Sequence, residues 1–81
     1  MNLENIFLLL THGSYQKAIS KLHEFISEVD DNMQDTPEKE CLFSTAYLYK
    51  GIANYHLCDL GFAKMDFTIA MIRKNDSWNG N

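Results

Sequence analysis

Three side chains that can bind zinc lie close to two predicted turns. His12 precedes Gly13, and His56 and Cys58 stand two positions apart just before Asp59. Imidazole nitrogens and thiolates are preferred zinc ligands, and two stacked pairs of helices would bring the turns together. A His-x-Cys pair with one distant histidine falls short of a zinc-site spacing. We therefore expect no bound metal at these polar turn residues.

His23 and Glu24 are adjacent candidates for acid–base chemistry, but both fit a solvated helix face. The sequence has neither a glycine-rich phosphate loop nor a nucleophile-elbow motif. It also lacks a pair of carboxylates in an apolar setting, which general acid–base catalysis would use. We therefore expect a non-catalytic protein that needs no cofactor.

Acidic side chains are concentrated in residues 24–40. This segment has seven acids and one base, so its net charge is −6 and the rest of the chain carries +2. Its spacing does not match a calcium loop, because two acids are adjacent and no glycine follows. The segment is either a solvated linker or a surface that steers a basic partner. The candidate contact residues are Glu28, Asp30, Asp31 and Asp35.

The composition fits one small soluble domain of 81 residues, with 46% hydrophobic residues and a net charge of −4. An acidic chain gains no binding energy from nucleic acids or anionic membranes. The apolar run at residues 6–10 is too short for a secretion signal, and no segment reaches the roughly 20 apolar residues that span a bilayer. We expect a cytoplasmic protein without nucleic-acid or membrane partners.

The two cysteines lie near opposite ends of one predicted helix. At 1.5 Å per residue, Cys41 and Cys58 would be roughly 25 Å apart, far beyond the ~7 Å Cα separation that a disulfide allows. The sequence therefore predicts two semi-buried, reduced thiols, which suit a reducing compartment.

Apolar residues recur with helical periodicity along most of the chain. Ser14, Thr36 and Asp59 are predicted N-caps, and Pro37 suits the first position of the third helix. The predicted helices cover residues 2–11, 15–29, 37–57 and 60–74. They form two similar pairs, because residues 11–18 align with residues 56–63. The sequence therefore predicts an all-α fold with an internal helix–turn–helix duplication.

The second pair resembles a tetratricopeptide repeat over residues 44–77. The residues that carry the resemblance are Tyr47, Gly51, Ala53, Ala63, Phe67 and Ala70. In the first pair, Ala18 and Leu22 match, and Ala18 precedes Ala63 by 45 residues, whereas the family repeats every 34 or so. The resemblance implies two antiparallel hairpins with right-handed stacking and an inserted acidic connector.

This organisation makes residues 1–81 a single helical-repeat domain. Its predicted parts are a degenerate first hairpin (1–29), an acidic connector (30–36), a second hairpin (37–74) and a polar tail (75–81).

The resemblance also implies that the first helix of each pair lines a concave groove. The residues at those positions are all apolar: Leu3, Phe7, Leu10, Leu48, Ile52 and Tyr55. Such a groove suits an amphipathic helix or an apolar extended segment of another protein. The size, acidity and apolar groove are similar to those of small chaperones of bacterial type III secretion. The implied function is an adaptor or chaperone-like binding module.

Two alternative functions stay open. In the first, the chain is a homodimer whose groove is filled by its own mate. In the second, it is an inhibitor or immunity protein whose acidic connector binds a basic partner, and that binding would depend strongly on salt.

Overall fold

The structure, a computed structural model, describes the backbone of residues 3–78 and the side chains of residues 3–73. The helices of this part are α1 (Leu3–Thr11), α2 (Tyr15–Asn32), α3 (Pro37–His56) and α4 (Leu60–Trp78). The described residues contain no β-strand. The predicted all-α fold class is therefore confirmed.

Helix α3 is the centre of the molecule. It packs against α1, α2 and α4, and its contact with α4 is the most extensive. The buried side chains that pack together around it come from α1, α2 and α3: Ile6, Leu10, Ala18, Leu22, Phe25, Val29, Phe43, Ala46 and Ala53. Four of these residues have aliphatic side chains larger than that of alanine: Ile6, Leu10, Leu22 and Val29. Burying each of these side chains favours folding by roughly 1.5–3 kcal/mol.

Small residues allow α3 and α4 to approach closely. Ala63 and Ala70 of α4 are buried, and the Ser44 hydroxyl of α3 donates a 2.8 Å hydrogen bond to the Ala70 carbonyl. Near the other end of α3, the Asn54 Nδ2 donates a 2.8 Å bond to the Asp66 Oδ2. Early residues of α3 thus meet late residues of α4, which is the pairing of antiparallel helices.

The two shortest connections are tight turns. Gly13 has a φ of 79°, and Cys58 has a φ of 61° in the turn before α4. Glycine adopts this left-handed conformation without a steric cost, whereas a residue with a Cβ does not. Ser14 stands at the N-cap of α2 as predicted, although its side chain makes no capping hydrogen bond.

The connector between α2 and α3 is shorter than predicted. Helix α2 continues to Asn32, so the first three residues of the expected 30–36 connector, including Asp30 and Asp31, are helical. The prediction was wrong because the apolar stripe of α2 continues through the buried Val29 to the half-buried Met33, which packs on the core.

The third helix begins as predicted. Thr36 is its N-cap and Pro37 its first residue, and the Thr36 hydroxyl accepts a 3.3 Å hydrogen bond from the Lys39 backbone N–H. Such a cap satisfies one of the N–H groups that the first turn leaves without a partner.

Lys39 holds the end of α2 against the start of α3. Its ammonium donates to the carbonyls of Asp30 at 3.4 Å and Met33 at 3.2 Å, and to the Asp35 carboxylate at 3.2 Å. It also forms an ion pair with the Asp30 carboxylate at 3.4 Å, and only 6% of its side chain is exposed. One lysine therefore satisfies two carbonyls that the end of α2 leaves open.

The polar tail predicted for residues 75–81 is helical in part. Helix α4 runs to Trp78 rather than ending near Lys74, and residues 79–81 lie outside the described part. None of the described helices combines the length and the apolarity needed to cross a membrane.

Neither thiol is semi-buried. Cys41 and Cys58 are both exposed, and they do not form a disulfide. The expectation of two semi-buried thiols was wrong because Cys41 lies on the outer side of α3 and Cys58 in an open turn.

The Lys39 cluster predicts a pH-dependent stability. Burial acts to lower the pKa of Lys39, but its bonds to Asp35 and Asp30 outweigh burial and raise the pKa above the ordinary 10.5. A cation whose pKa rises on folding stabilises the fold fully below its ordinary pKa, and this stabilisation is lost as the pH rises through the folded-state value.

We expect Lys39→Met to lower the melting temperature by several degrees at about pH 7, where the ammonium is fully charged. The difference from the wild type should shrink above about pH 10.5. Thermal unfolding followed by circular dichroism at both pH values checks this. Lys21→Met is the control, since Lys21 pairs with Glu24 on an exposed helix face and such pairs contribute little. Equal effects of the two variants would contradict the role of Lys39.

Candidate functional site

The predicted groove residues do not all share one environment. Leu10 is buried at 7% exposure and belongs to the core, so its assignment to a partner-facing surface was wrong. Phe7, Leu48 and Tyr55 are 46%, 43% and 59% exposed. The remaining two predicted residues, Leu3 and Ile52, are half-buried.

Helices α1 and α3 meet on the side where the exposed groove residues lie. The rings of Phe7 and Tyr49 are in contact, with centroids 5.6 Å apart. On α3, Leu48, Ile52 and Tyr55 stand at i, i+4 and i+7, so they share one side of that helix. The partly exposed apolar surface therefore passes from α1 onto α3.

The same surface continues onto α4 through Gly51. Gly51 neighbours Leu48 and Tyr55 on α3, and the ring of Phe67 lies directly over it, since a Cβ at Gly51 would meet the Phe67 Cε1 at 2.6 Å. The exposed Met71 lies one helical turn from Phe67 and therefore borders the same side of α3.

Leu60 joins Met71 there, two turns before Phe67 and 61% exposed. Together these side chains form the α1/α3 face, which consists of Leu3, Phe7, Leu48, Ile52, Tyr55, Leu60 and Met71. The sequence prediction missed Leu60 and Met71. In the sequence, the feature that indicates these two residues is their helical spacing from Phe67. This spacing becomes informative once Phe67 is known to lie over Gly51.

A second surface lies on another side of α3. Helices α2 and α4 both pack on α3, and their described residues do not pack on each other, which leaves the α2/α4 groove between them. The groove contains cavities of about 380 Å³ and 230 Å³, and His23 lines both. Its apolar wall residues are Ile19 and Ile26 of α2 and Phe62 and Met65 of α4.

A buried charged pair lies beside the α2/α4 groove. Asp66 of α4 is 1% exposed, and its Oδ1 lies 3.4 Å from the Lys50 Nζ. This contact is an ion pair without hydrogen-bond geometry, because Oδ1 accepts no hydrogen bond from the described residues. The other oxygen, Oδ2, accepts from Asn54. The Lys50 ammonium also lies 5.4 Å from the centroid of the Tyr47 ring.

The candidate metal-binding side chains serve other contacts or face solvent. His12 and Cys58 are exposed, and His56 stacks on Tyr15 with ring centroids 4.7 Å apart. This stack joins the end of α3 to the start of α2. Within the described residues, no three His, Cys, Asp or Glu side chains are placed to hold a metal ion.

The candidate acidic residues are all exposed. Asp30 and Asp35 pair with Lys39, so part of their charge is neutralised, while Glu28 and Asp31 lie on the exposed side of α2. His23 and Glu24 also lie on the surface of α2. Glu24 pairs with Lys21 at 3.5 Å rather than with His23.

Comparison of the chain with protein-family models, with curated proteins and with solved structures finds no match. The tetratricopeptide resemblance and the right-handed stacking therefore stay predictions.

The Gly51–Phe67 contact predicts opposite effects at two glycines. Gly51→Ala gains about 1 kcal/mol of helix propensity but displaces the Phe67 ring, which costs about 1–3 kcal/mol. Gly61→Ala gains propensity without a clash, because a Cβ there meets nothing within 4 Å. We expect Gly61→Ala to raise the melting temperature and Gly51→Ala to lower it. A rise in both would show that Phe67 yields freely.

The buried pair predicts a partial rescue by a second substitution. Lys50→Met leaves the Asp66 charge buried without its cation, which should cost up to about 3–5 kcal/mol. Adding Asp66→Asn removes that charge and keeps an acceptor for Asn54, so the double variant should recover most of the loss. Urea unfolding of the single and double variants measures this, and a double variant less stable than Lys50→Met would contradict it.

Proposed function

We propose that the chain is a non-catalytic protein-interaction module that binds an amphipathic helix of another protein on the α1/α3 face. The module would act as an adaptor or in the manner of a small chaperone that shields an apolar helix. The proposal places it in the cytoplasm, where two reduced thiols persist.

The observation that carries this proposal is the continuity of exposed apolar side chains across three helices. Phe7, Leu48 and Tyr55 are each exposed by more than two fifths, and Leu60 and Met71 by more than three fifths. Contiguous apolar patches of several hundred Å² mark interaction sites on soluble proteins. Large aromatic side chains such as Phe7 and Tyr55 are also the residue types that dominate binding energy at interfaces.

The shape of this face favours a helix as the ligand. Its α3 residues form one stripe parallel to the helix axis, and the α1 and α4 residues border that stripe on either side. An amphipathic helix presents a complementary apolar stripe with anchors at i, i+3, i+4 and i+7. No formally charged residue belongs to the face itself, so binding there should depend weakly on salt.

The acidic-inhibitor alternative has less support. Its candidate residues include Asp30 and Asp35, and both are engaged by the Lys39 ammonium, which ties the connector together. Their arrangement therefore already has a structural explanation. Glu28 and Asp31 would have to supply most of the attraction for a basic partner.

The test uses two fluorescent synthetic peptides that differ in chemistry. One is an uncharged amphipathic helix with a leucine stripe, and the other is a basic, non-amphipathic peptide. Fluorescence anisotropy with the full chain should show binding of the first at low and high salt. Leu48→Asp and Tyr55→Asp should each weaken that binding by about tenfold or more, since a charge would be buried against leucine.

Met65→Asp is the matched control, because it places the same charge on a half-exposed methionine in the α2/α4 groove. It should leave peptide affinity unchanged, and circular dichroism should show equal helix content in all variants. Salt-sensitive binding of the basic peptide alone, weakened by Asp31→Asn, would overturn the proposal in favour of the acidic alternative.

A further inference from the structure

The outer side of α4 has a stripe of apolar residues spaced for helix pairing. The α4 stripe consists of Phe62, Met65, Ile69 and Ile72. Its spacing of three, four and three residues is that of the a and d positions of a coiled coil. Phe62, Met65 and Ile72 are about half exposed, and Ile69 is half-buried. Within the described residues α4 packs against α3 alone, so no other helix covers this stripe.

The stripe also forms a wall of the α2/α4 groove. Phe62 and Met65 face a cavity of about 380 Å³ whose opposite wall includes Ile19 and His23 of α2. A helix laid along the stripe would therefore also cover the mouth of the groove.

We propose that the occupant is a second copy of this chain, with the two α4 helices antiparallel across a twofold axis. A three–four–three spacing is the same when read in either direction along the helix. The twofold axis would therefore pass through the midpoint of the stripe, between Met65 and Ile69. Phe62 of each copy would then lie opposite Ile72 of the other, and Met65 opposite Ile69. A surface that matches itself in this way is what a twofold interface requires.

The charges around the groove favour a second copy despite the net charge of −4. The charged residues that line it are two acids, Asp30 and Asp59, and two bases, Lys50 and Arg73. The face is therefore balanced, and two copies would not repel each other there. In the antiparallel arrangement, the start of α4 in one copy lies beside the late turns of α4 in the other copy. Asp59 of one copy therefore comes near Arg73 of the other. Arg73 also pairs with Glu40 of its own chain at 3.1 Å.

The exposed area of the stripe supplies part of what a dimer interface needs. Three of its apolar side chains are about half exposed and Ile69 is half-buried, so the stripe presents roughly 300 Å², somewhat less than half of the roughly 800 Å² that each partner buries in a standard interface. The walls of the groove and its charged rim would supply the rest. A chain of this size buries only about 60–65% of its unfolded surface, so added burial would also stabilise the fold.

The proposed dimer does not depend on the proposed partner site, because the α4 stripe and the α1/α3 face share no residue. Light scattering after size exclusion of the full chain, at rising concentration, should give a mass approaching twice 9.4 kDa. Met65→Asp and Ile72→Asp should keep the helical dichroism and stay at the monomer mass. Leu48→Asp should still dimerise.

Cross-linking tests the orientation with milder substitutions. In chains with Cys41→Ser and Cys58→Ser, equal amounts of Met65→Cys and Ile69→Cys proteins are mixed and oxidised. The antiparallel arrangement predicts mostly mixed disulfide dimers of the two variants, whereas parallel helices would favour like with like.

Three results would overturn the proposal. The first is a monomer mass at every concentration. The second is a dimer lost with Leu48→Asp but kept with Met65→Asp, which would place the second copy on the α1/α3 face. The third is a preference for like-with-like disulfides.

Discussion

The packing of α4 against α3 is the most extensive contact between the described helices, and both apolar surfaces depend on it. It requires small residues, because Gly51 lies under the Phe67 ring and Ala63 and Ala70 are buried in the same interface. Close approach of the two backbones lets the Ser44 hydroxyl reach the Ala70 carbonyl. Since α1 and α2 occupy other sides of α3, α4 packs within the described part of the chain against α3 alone. Both flanks of α4 are therefore left open, and each contributes to a different apolar surface.

A second important interaction is made by Lys39, which holds the end of α2 against the start of α3 within the acidic segment. A run of carboxylates at the end of a helix is unfavourable, because the helix dipole is negative there. The Lys39 ammonium lies between the last turn of α2 and the Asp30 and Asp35 side chains, and it also binds two of the carbonyls. The acidic segment is thus partly a structural element, which lowers the number of its charges that are available to a partner.

The features that could be predicted from the sequence are those that depend on residues close together in the chain. The Thr36 cap, the Pro37 start and the four-helix, all-α fold needed only short-range patterns. The placement of Leu10 failed because the packing of α2 and α3 against α1 decides which residues of the α1 stripe are buried. The end of α2 was predicted too early because Met33, beyond Val29, also packs on the core, and Lys39 holds that end from beyond the connector. Leu60 and Met71 were missed because their side of α4 is set by a contact between residues 51 and 67.

The two apolar surfaces exist because the described helices do not cover every side of α3 and α4. A helix that contacts three others is still open between them, and on α3 the side between α1 and α4 carries Leu48, Ile52 and Tyr55. Among the described helices α4 contacts only α3, so it has two open flanks, one with Met71 and the other with Met65. Because the α1/α3 face and the α4 stripe share no residue and lie on different flanks of α4, we expect a ligand on one to leave the other open. A dimer formed through α4 would consequently carry two separate partner faces, and a ligand with two suitable helices would bind it with a gain in effective concentration.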